Sequence, residues 1–211
     1  MRQIYKTTLP SIVLRNIPPK WKLNEQLINL NRELFMNGFI NNNVNKIMMY
    51  HGLIAQNRGI ETILESLKLL NNVGLVLLGE IKPHYKKEIW SKALKDRTHI
   101  NLLFHEKVPY DKLWAYVGAS DLGLIVIPNE NQSEVVSLPN KFFENIQSLT
   151  PVLVSDFQSL KSIVLDLDIG DFANQNDPYE IHEKIKNIFK RLDDNHELIN
   201  NLRHAKELLN W

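Results

Sequence analysis

The stretch SLPNKFFENI, Ser137 to Ile146, carries an amide, a lysine and a carboxylate through an otherwise apolar run. A helix with Ser137 as its N-cap and Pro139 in its first turn gathers Leu138, Phe142, Phe143, Ile146 and Leu149 on one side. Asn140, Lys141 and Glu144 share the other side, Asn140 and Glu144 as i,i+4 neighbours and Lys141 and Glu144 as i,i+3 neighbours. A lysine in the first turn opposes the helix dipole. An anion bound between lysine and helix N-terminus offsets that cost, and a carboxylate one turn further in can accept both hydroxyls of a ribose. The plainer alternative is a weak salt pair on a solvated face. A second group offers related chemistry. Gly52 closes an apolar run, and Arg58 with Gly59 opens the next helical period. Glycine lets a backbone approach an anion closely, and arginine is a bidentate phosphate donor; the alternative is a turn glycine and a solvated arginine. His51, beside Gly52, either faces a cleft or is an ordinary structural histidine with its partners satisfied.

The elements that must hold these residues are regular from Lys46 onward. KIMMYHG, VGLVLLGE, INLLFHE, DLGLIVIP, PVLVSD and IGDFAN are strand-like and alternate with segments of helical period, among them RGIETILESLKLL, HYKKEIWSKALK and DPYEIHEKIKNIFKRL. Asp177, Pro178 and Glu180 form an N-cap, N1 and N3 set for the last of these. Nearly continuous Val, Ile and Leu strands between helices predict βαβ units. The expected fold is α/β, a Rossmann-like three-layer αβα sandwich with a mainly parallel sheet of about six strands. Residues 1–45 are set apart from residues 46–211. They hold the strand-like run SIVLRN, the breaker IPPK, a helical pattern built on Leu23, Leu27, Leu30 and Leu34, and the polar turn segment NGFINNNVN. Ligands of open parallel sheets bind at carboxyl ends of strands. Those ends carry Gly52, Gly79 with Glu80, the segment Glu106 to Pro109, and the loop leading to Ser137 and Pro139.

Composition removes several classes. The 211 residues are 44% hydrophobic and carry a formal net charge of +1. That is enough apolar material for a sizeable core and no electrostatic case for nucleic acid or an anionic membrane surface. The absence of cysteine excludes disulfides, thiolate metal sites and a cysteine nucleophile, and suits a reducing compartment. Neither a signal peptide nor a long apolar span is read, so the expected location is the cytoplasm. The seven histidines show no HExxH spacing, and neither GxGxxG nor GxxxxGK[ST] occurs. No metal or cofactor is expected. The four tryptophans are not interleaved with basic residues as in single-strand binders.

Taken in order, YHGLIAQNRGIETILESLKLL, LVLLGE, VPYDKLWAYVGASDLGLIVIP and SLPNKFFENIQSLTPVLVSD resemble the donor-binding domain of GT-B glycosyltransferases of the group 1, family 4 type, over about residues 46–195. The resemblance implies transfer of a sugar from a nucleotide diphosphate sugar to a glycan or lipid-linked acceptor in polysaccharide assembly, with retention and without a metal. It places Arg58 and Lys141 on the donor diphosphate as catalytic groups and Glu144 on the ribose. Lys107 to Pro109, with Val108 at the centre, would meet the base; Gly79 would border the base pocket, and Pro139 and Asn140 would shape the loop around the diphosphate. Gly52 would let the backbone approach the phosphates. Two positions depart from the family pattern. Val136 stands where the first glutamate of E-x7-E is expected, with Glu134 nearby, and Leu53 stands where an arginine is common. A GT-B enzyme has two such domains, so residues 1–45 are expected to be the end of a first, acceptor-binding domain and the linker. The full enzyme is then expected at the inner face of the membrane. The competing readings are a non-catalytic nucleotide or sugar-phosphate binding module and a response-regulator-like interaction domain, the latter lacking an acidic cluster at the strand ends.

Overall fold

The computed structural model describes residues 17–129, 135, 137–194 and 196–210. The expected strand SIVLRN and the positions Glu134 and Val136 lie outside the described residues. Along the described chain the elements are α1 (Glu25–Gly38), β1 (Lys46–His51), α2 (Ile60–Leu67), β2 (Val73–Leu78), α3 (Pro83–Lys95), β3 (Leu102–His105), α4 (Leu113–Val117), β4 (Leu122–Ile125), α5 (Asn140–Gln147), β5 (Val152–Ser155), α6 (Gln158–Leu167), β6 (Gly170–Ala173), α7 (Pro178–Asp194) and α8 (Glu197–Leu208). The six strands form one sheet in the order β3-β2-β1-β4-β5-β6. Every pairing is parallel.

Strand alternation distributes the apolar side chains to two faces. Met48, Tyr50, Leu75, Leu77, Leu122, Leu124 and Leu153 meet α2, α3 and α7 in one core. On the opposite face, Ile47, Met49, Val76 and Leu78 pack with α1 and α4. Beside them, Ile125, Val152 and Val154 pack with α5, α6 and α8. Both faces are covered, which is why the strands read as unbroken apolar runs. The predicted cap of α7 is present: Asp177 Oδ1 accepts the N–H groups of Tyr179 at 2.9 Å and Glu180 at 3.1 Å.

Two sequence expectations are corrected. In α1 the leucine stripe is not the buried face: Leu27, Leu30 and Leu34 are 45%, 60% and 50% exposed, whereas Phe35 is fully buried. The side carrying Ile28, Arg32 and Phe35 packs on the domain instead. Arg32 donates to Ala119 O at 3.1 Å and to Asp121 at 2.9 Å, and Asp121 accepts the Ile47 N–H at the start of β1. One large aromatic and one anchored guanidinium outweigh three leucines. In α5 the helix begins two residues later than a Ser137 cap requires. Pro139 is the N-cap residue in an extended conformation, and its carbonyl accepts the Phe142 N–H at 2.9 Å. A residue preceding proline is pushed out of the helical region, so Leu138 cannot serve as the first helical residue. Leu149 lies beyond the helix with a left-handed φ of 60°.

Candidate functional site

The strand order reverses between β1 and β4. The chain leaves β1 for α2 on one face and leaves β4 for α5 on the other. The diverging connections open a crevice at the carboxyl end of the sheet, the position where open α/β sheets bind ligands. Past the named strands the backbone stays tied together. Gly52 N–H donates to Leu78 O, Gly79 N–H to His105 O and Ile54 N–H to Glu80 O, each at 2.9 Å. Gly79 sits at φ 147°, and a Cβ there would come within 1.9 Å of Gly52 O. Only glycine allows the two strand ends to approach this closely. Gly79→Ala is expected to destabilise the chain by about 3 kcal/mol. In thermal unfolding this is a fall of roughly 6–12 °C in Tm for a chain of this length.

α5 supplies the other wall. Asn145 packs over Gly123 of β4, where a Cβ would lie 2.0 Å from Asn145 Oδ1, so the helix rests directly on the strand. Asn145 Nδ2 donates to Lys141 O at 2.7 Å. At the far end Gln147 accepts the Trp21 N–H and donates to the carbonyls of Lys206 and Leu209, while Lys206 Nζ donates to Gln147 O. The side of α5 that could have been a solvated polar face is therefore enclosed. Gln147 ties it to the entering chain and to α8, and its first two turns face the crevice.

The crevice is a cavity of about 440 Å³, lined by His51, Gly52 and Leu53, by Leu78, Gly79 and Glu80, by Lys107, Val108, Tyr110 and Leu113, and by Pro139, Asn140, Lys141 and Glu144. This volume lies in the range of small-molecule sites. Gly52, Gly79, Val108, Pro139, Asn140, Lys141 and Glu144, singled out from sequence, come together here. Arg58 and Pro109 do not line the cavity. Arg58 nevertheless acts on Lys141 electrostatically, and Pro109 heads the short 3-10 turn Tyr110–Lys112 beside the wall. Leu53, in the place of the expected arginine, is 54% exposed at the rim.

The electrostatics of the wall are specific. The Lys141 ammonium lies 3.7 Å from the centroid of the Tyr50 ring, a cation–π contact. Burial first, and then the Arg58 charge, pull the Lys141 pKa down to about 7, with Glu144 opposing. Near pH 7 Lys141 therefore stands between its neutral and charged forms, and an incoming anion would favour uptake of a proton from solvent and be bound by the resulting cation. The expected i,i+3 pair with Glu144 is not formed. Glu144, only 7% exposed, instead shares a hydrogen bond of 2.9 Å with His51 Nε2. His51 is 2% exposed. Burial holds its pKa below the ordinary histidine value, against the pull of Glu144, and Lys141 adds to the lowering. Spacing along α5 could not show this partner, which lies on another element. The available signal was the position of His51 at a strand end next to Gly52. Among the described residues no cluster of three or more His, Asp or Glu side chains could hold a metal ion, and no helix is long and apolar enough to cross a membrane.

Over residues 31–205 the sequence matches the family model of glycosyl transferases group 1. The chain belongs to this family. No curated protein matches the sequence. Among solved structures, this group 1 chain is similar to WaaG, a glycosyltransferase involved in lipopolysaccharide biosynthesis, at 19% identity and a TM-score of 0.65 over 90% of this chain and 51% of that one. It is similar to HepE from Anabaena, solved in complex with UDP-glucose, at 13% identity and a TM-score of 0.67 over 89% of this chain and 49% of HepE. It also resembles the C-terminal domain of the group 1 protein LpcC from Francisella tularensis, at 14% identity and a TM-score of 0.66, with 88% and 91% of the two chains covered. The group 1 chain described here therefore spans about half the length of the first two relatives. At these identities the likeness supports a GT-B, Rossmann-like domain fold.

Proposed function

We propose that the chain is the nucleotide-sugar half of a glycosyltransferase, holding a nucleoside diphosphate sugar in the crevice between β1 and β4. The observation that carries this reading is the conjunction of Lys141, Glu144 and the first turns of α5 in one cavity at the topological switch point. Lys141 and the N-terminal turn of α5 meet the diphosphate. Arg58 adds positive charge behind them, with a bidentate reach that suits phosphate. Glu144 accepts the ribose hydroxyls. The backbone from Lys107 to Val108, with Pro109 stiffening it and Gly79 at the border, meets the base. Pro139 and Asn140 shape the loop around the phosphates, and Gly52 admits their close approach. Support comes also from family membership and from the UDP-glucose held by the Anabaena relative.

On this reading the bond broken joins the sugar's anomeric carbon to the diphosphate oxygen, the bond formed joins that carbon to an acceptor hydroxyl oxygen, and the hydroxyl proton passes to the leaving diphosphate. Lys141, Arg58 and the helix N-terminus stabilise the charge that develops on the leaving diphosphate, and no resident metal is required of this half. Retention at the anomeric carbon is part of the proposal. A glycan or lipid-linked acceptor would enter against a second, acceptor-binding half, to which residues 1–45 lead, and domain closure would complete the site. The cytoplasm, at the inner face of the membrane, is the proposed location.

The test is calorimetric titration of the chain with matched series of nucleoside monophosphate, diphosphate and diphosphate sugar carrying uracil, guanine or adenine. In at least one series the diphosphate should bind about tenfold or more tighter than the monophosphate, since each charge-assisted hydrogen bond contributes about 1.5–3 kcal/mol. Equal affinity for monophosphate and diphosphate, or no binding in any series, contradicts the reading.

A further inference from the structure

The Lys141–Glu144 spacing would ordinarily give an ion pair along one helix face, and such a pair would occupy both groups that the crevice offers to a ligand. The structure separates them. Glu144 Oε2 lies 2.9 Å from His51 Nε2, and Lys141 lies over Tyr50. His51 is the last residue of β1 and is in register with Leu78 of β2, so its backbone belongs to the central, doubly paired strand of the sheet. Tyr50, the support of Lys141, is the preceding residue on that strand. Its hydroxyl donates to Leu53 O at 3.0 Å. Adjacent side chains of one strand point to opposite faces. Two consecutive residues of β1 therefore hold the cation and the carboxylate of α5 apart.

The imidazole is buried, with Lys141 as the cation facing it and Glu144 as the anion. Burial and Lys141 both disfavour a second positive charge there, so the neutral ring faces the carboxylate. Between a neutral imidazole and a carboxylate the shared nitrogen carries the hydrogen, so Nε2–H donates and Glu144 Oε2 accepts. A carboxylate has two oxygens. One is held by His51, and the other, Oε1, remains for a ligand in the cavity that both residues line.

Resting on the reading of this crevice as a nucleoside diphosphate site, we propose that His51 is a positioning residue: its Nε2–H holds Glu144 Oε2, orients the second carboxylate oxygen toward the ligand's vicinal diol, and so sets the preference for ribose over 2′-deoxyribose. His51 touches neither the diol nor the diphosphate. Its effect is selective. It acts on the ligand's 2′-hydroxyl through Glu144 and leaves the phosphate contacts alone.

The chain is titrated with UDP, GDP and ADP and with their 2′-deoxy counterparts, as wild type and as His51→Leu, His51→Gln and His51→Asn. The wild type should prefer the ribose form of its base about tenfold, the factor that one lost hydrogen bond to a charged group corresponds to. His51→Leu should lose that preference while its affinity for the 2′-deoxy form stays within about twofold of wild type, the phosphate contacts being unchanged. His51→Gln, with an amide donor at comparable reach, should recover the preference. His51→Asn, one methylene shorter, should not, and its comparison with His51→Gln stands even if the leucine variant does not fold. Equal weakening of both forms by His51→Leu and by His51→Gln would mark a merely structural histidine and overturn the proposal. So would an intact preference in all three variants. A wild type that binds diphosphates without preferring ribose overturns the roles of Glu144 and His51 while leaving the diphosphate site standing. A wild type that binds no diphosphate removes the site itself, and the proposal with it.

Discussion

Lys141→Met is expected to weaken nucleoside diphosphate binding about 10- to 100-fold, the loss of one to two charge-assisted phosphate contacts, and at the same time to stabilise the ligand-free chain. The two effects share one origin. The folded chain holds the Lys141 pKa near 7, well below the ordinary lysine value of 10.5, through burial and the neighbouring Arg58. The sign follows from linkage. Above the unfolded-state pKa the lysine is neutral in both states and contributes no penalty. As pH falls toward 7 the unfolded chain takes up the proton and the folded chain does not, so stability declines. Below about 7 both states are protonated and the penalty is constant. Methionine keeps the unbranched stem over Tyr50 and carries no charge, so it removes the penalty. A thermal unfolding series from pH 6 to pH 9 checks this. The variant should exceed wild type by a few degrees at pH 6, with about 3 °C corresponding to 1 kcal/mol at this length, and the gap should narrow as pH rises. The same titration predicts that wild-type affinity for a diphosphate falls as pH rises above 7, by at most tenfold per unit, because binding must recruit a proton to Lys141. A variant that binds diphosphate like wild type contradicts the role given to Lys141.

Glu144→Ala is the second large perturbation, and its effects divide among three partners. The ribose loses its acceptor. His51 is left in a buried site without the carboxylate it bonds to, which should cost about 1–3 kcal/mol of stability. Lys141 loses a neighbour that raises its pKa, so its proton is held less well and the pH limb of diphosphate binding moves to lower pH. Arg58→Gln should move that limb the other way, since the Arg58 charge lowers the Lys141 pKa. Titrating wild type and both variants with the preferred diphosphate at pH 6, 7 and 8 resolves these shifts. Displacement in the same direction for both variants contradicts the electrostatic account.

Much of the architecture was legible because strands buried on both faces leave a strong mark: continuous apolar runs, spaced by segments of helical period. All six runs read from the sequence are strands of one parallel sheet. The Asp177 cap was legible because capping chemistry is local. What failed depended on tertiary choice. The leucines of α1 outnumber its aromatic, yet Phe35 and Arg32 take the buried side. The start of α5 was moved two residues by the proline's restraint on Leu138. In the cavity, residue types at strand ends identified the lining of one wall and the polar side of the other. The His51–Glu144 contact joins residues 93 positions apart, and no periodicity reports a contact of that kind. The half-buried state of Lys141 was hidden for the same reason, since the Tyr50 ring comes from β1 and the Arg58 charge from the connection between β1 and α2.

The central claim is that the crevice between β1 and β4 holds a nucleoside diphosphate. At 24.6 kDa the chain is accessible to amide correlation spectroscopy, and titration with UDP, GDP and ADP tests the claim most directly. At least one of the three should shift the backbone amides of Gly52, Gly79, Val108 and Asn140 to Glu144 together, saturably and with one affinity. No shift with any of the three, or shifts confined to residues away from these strand ends and the start of α5, would contradict it.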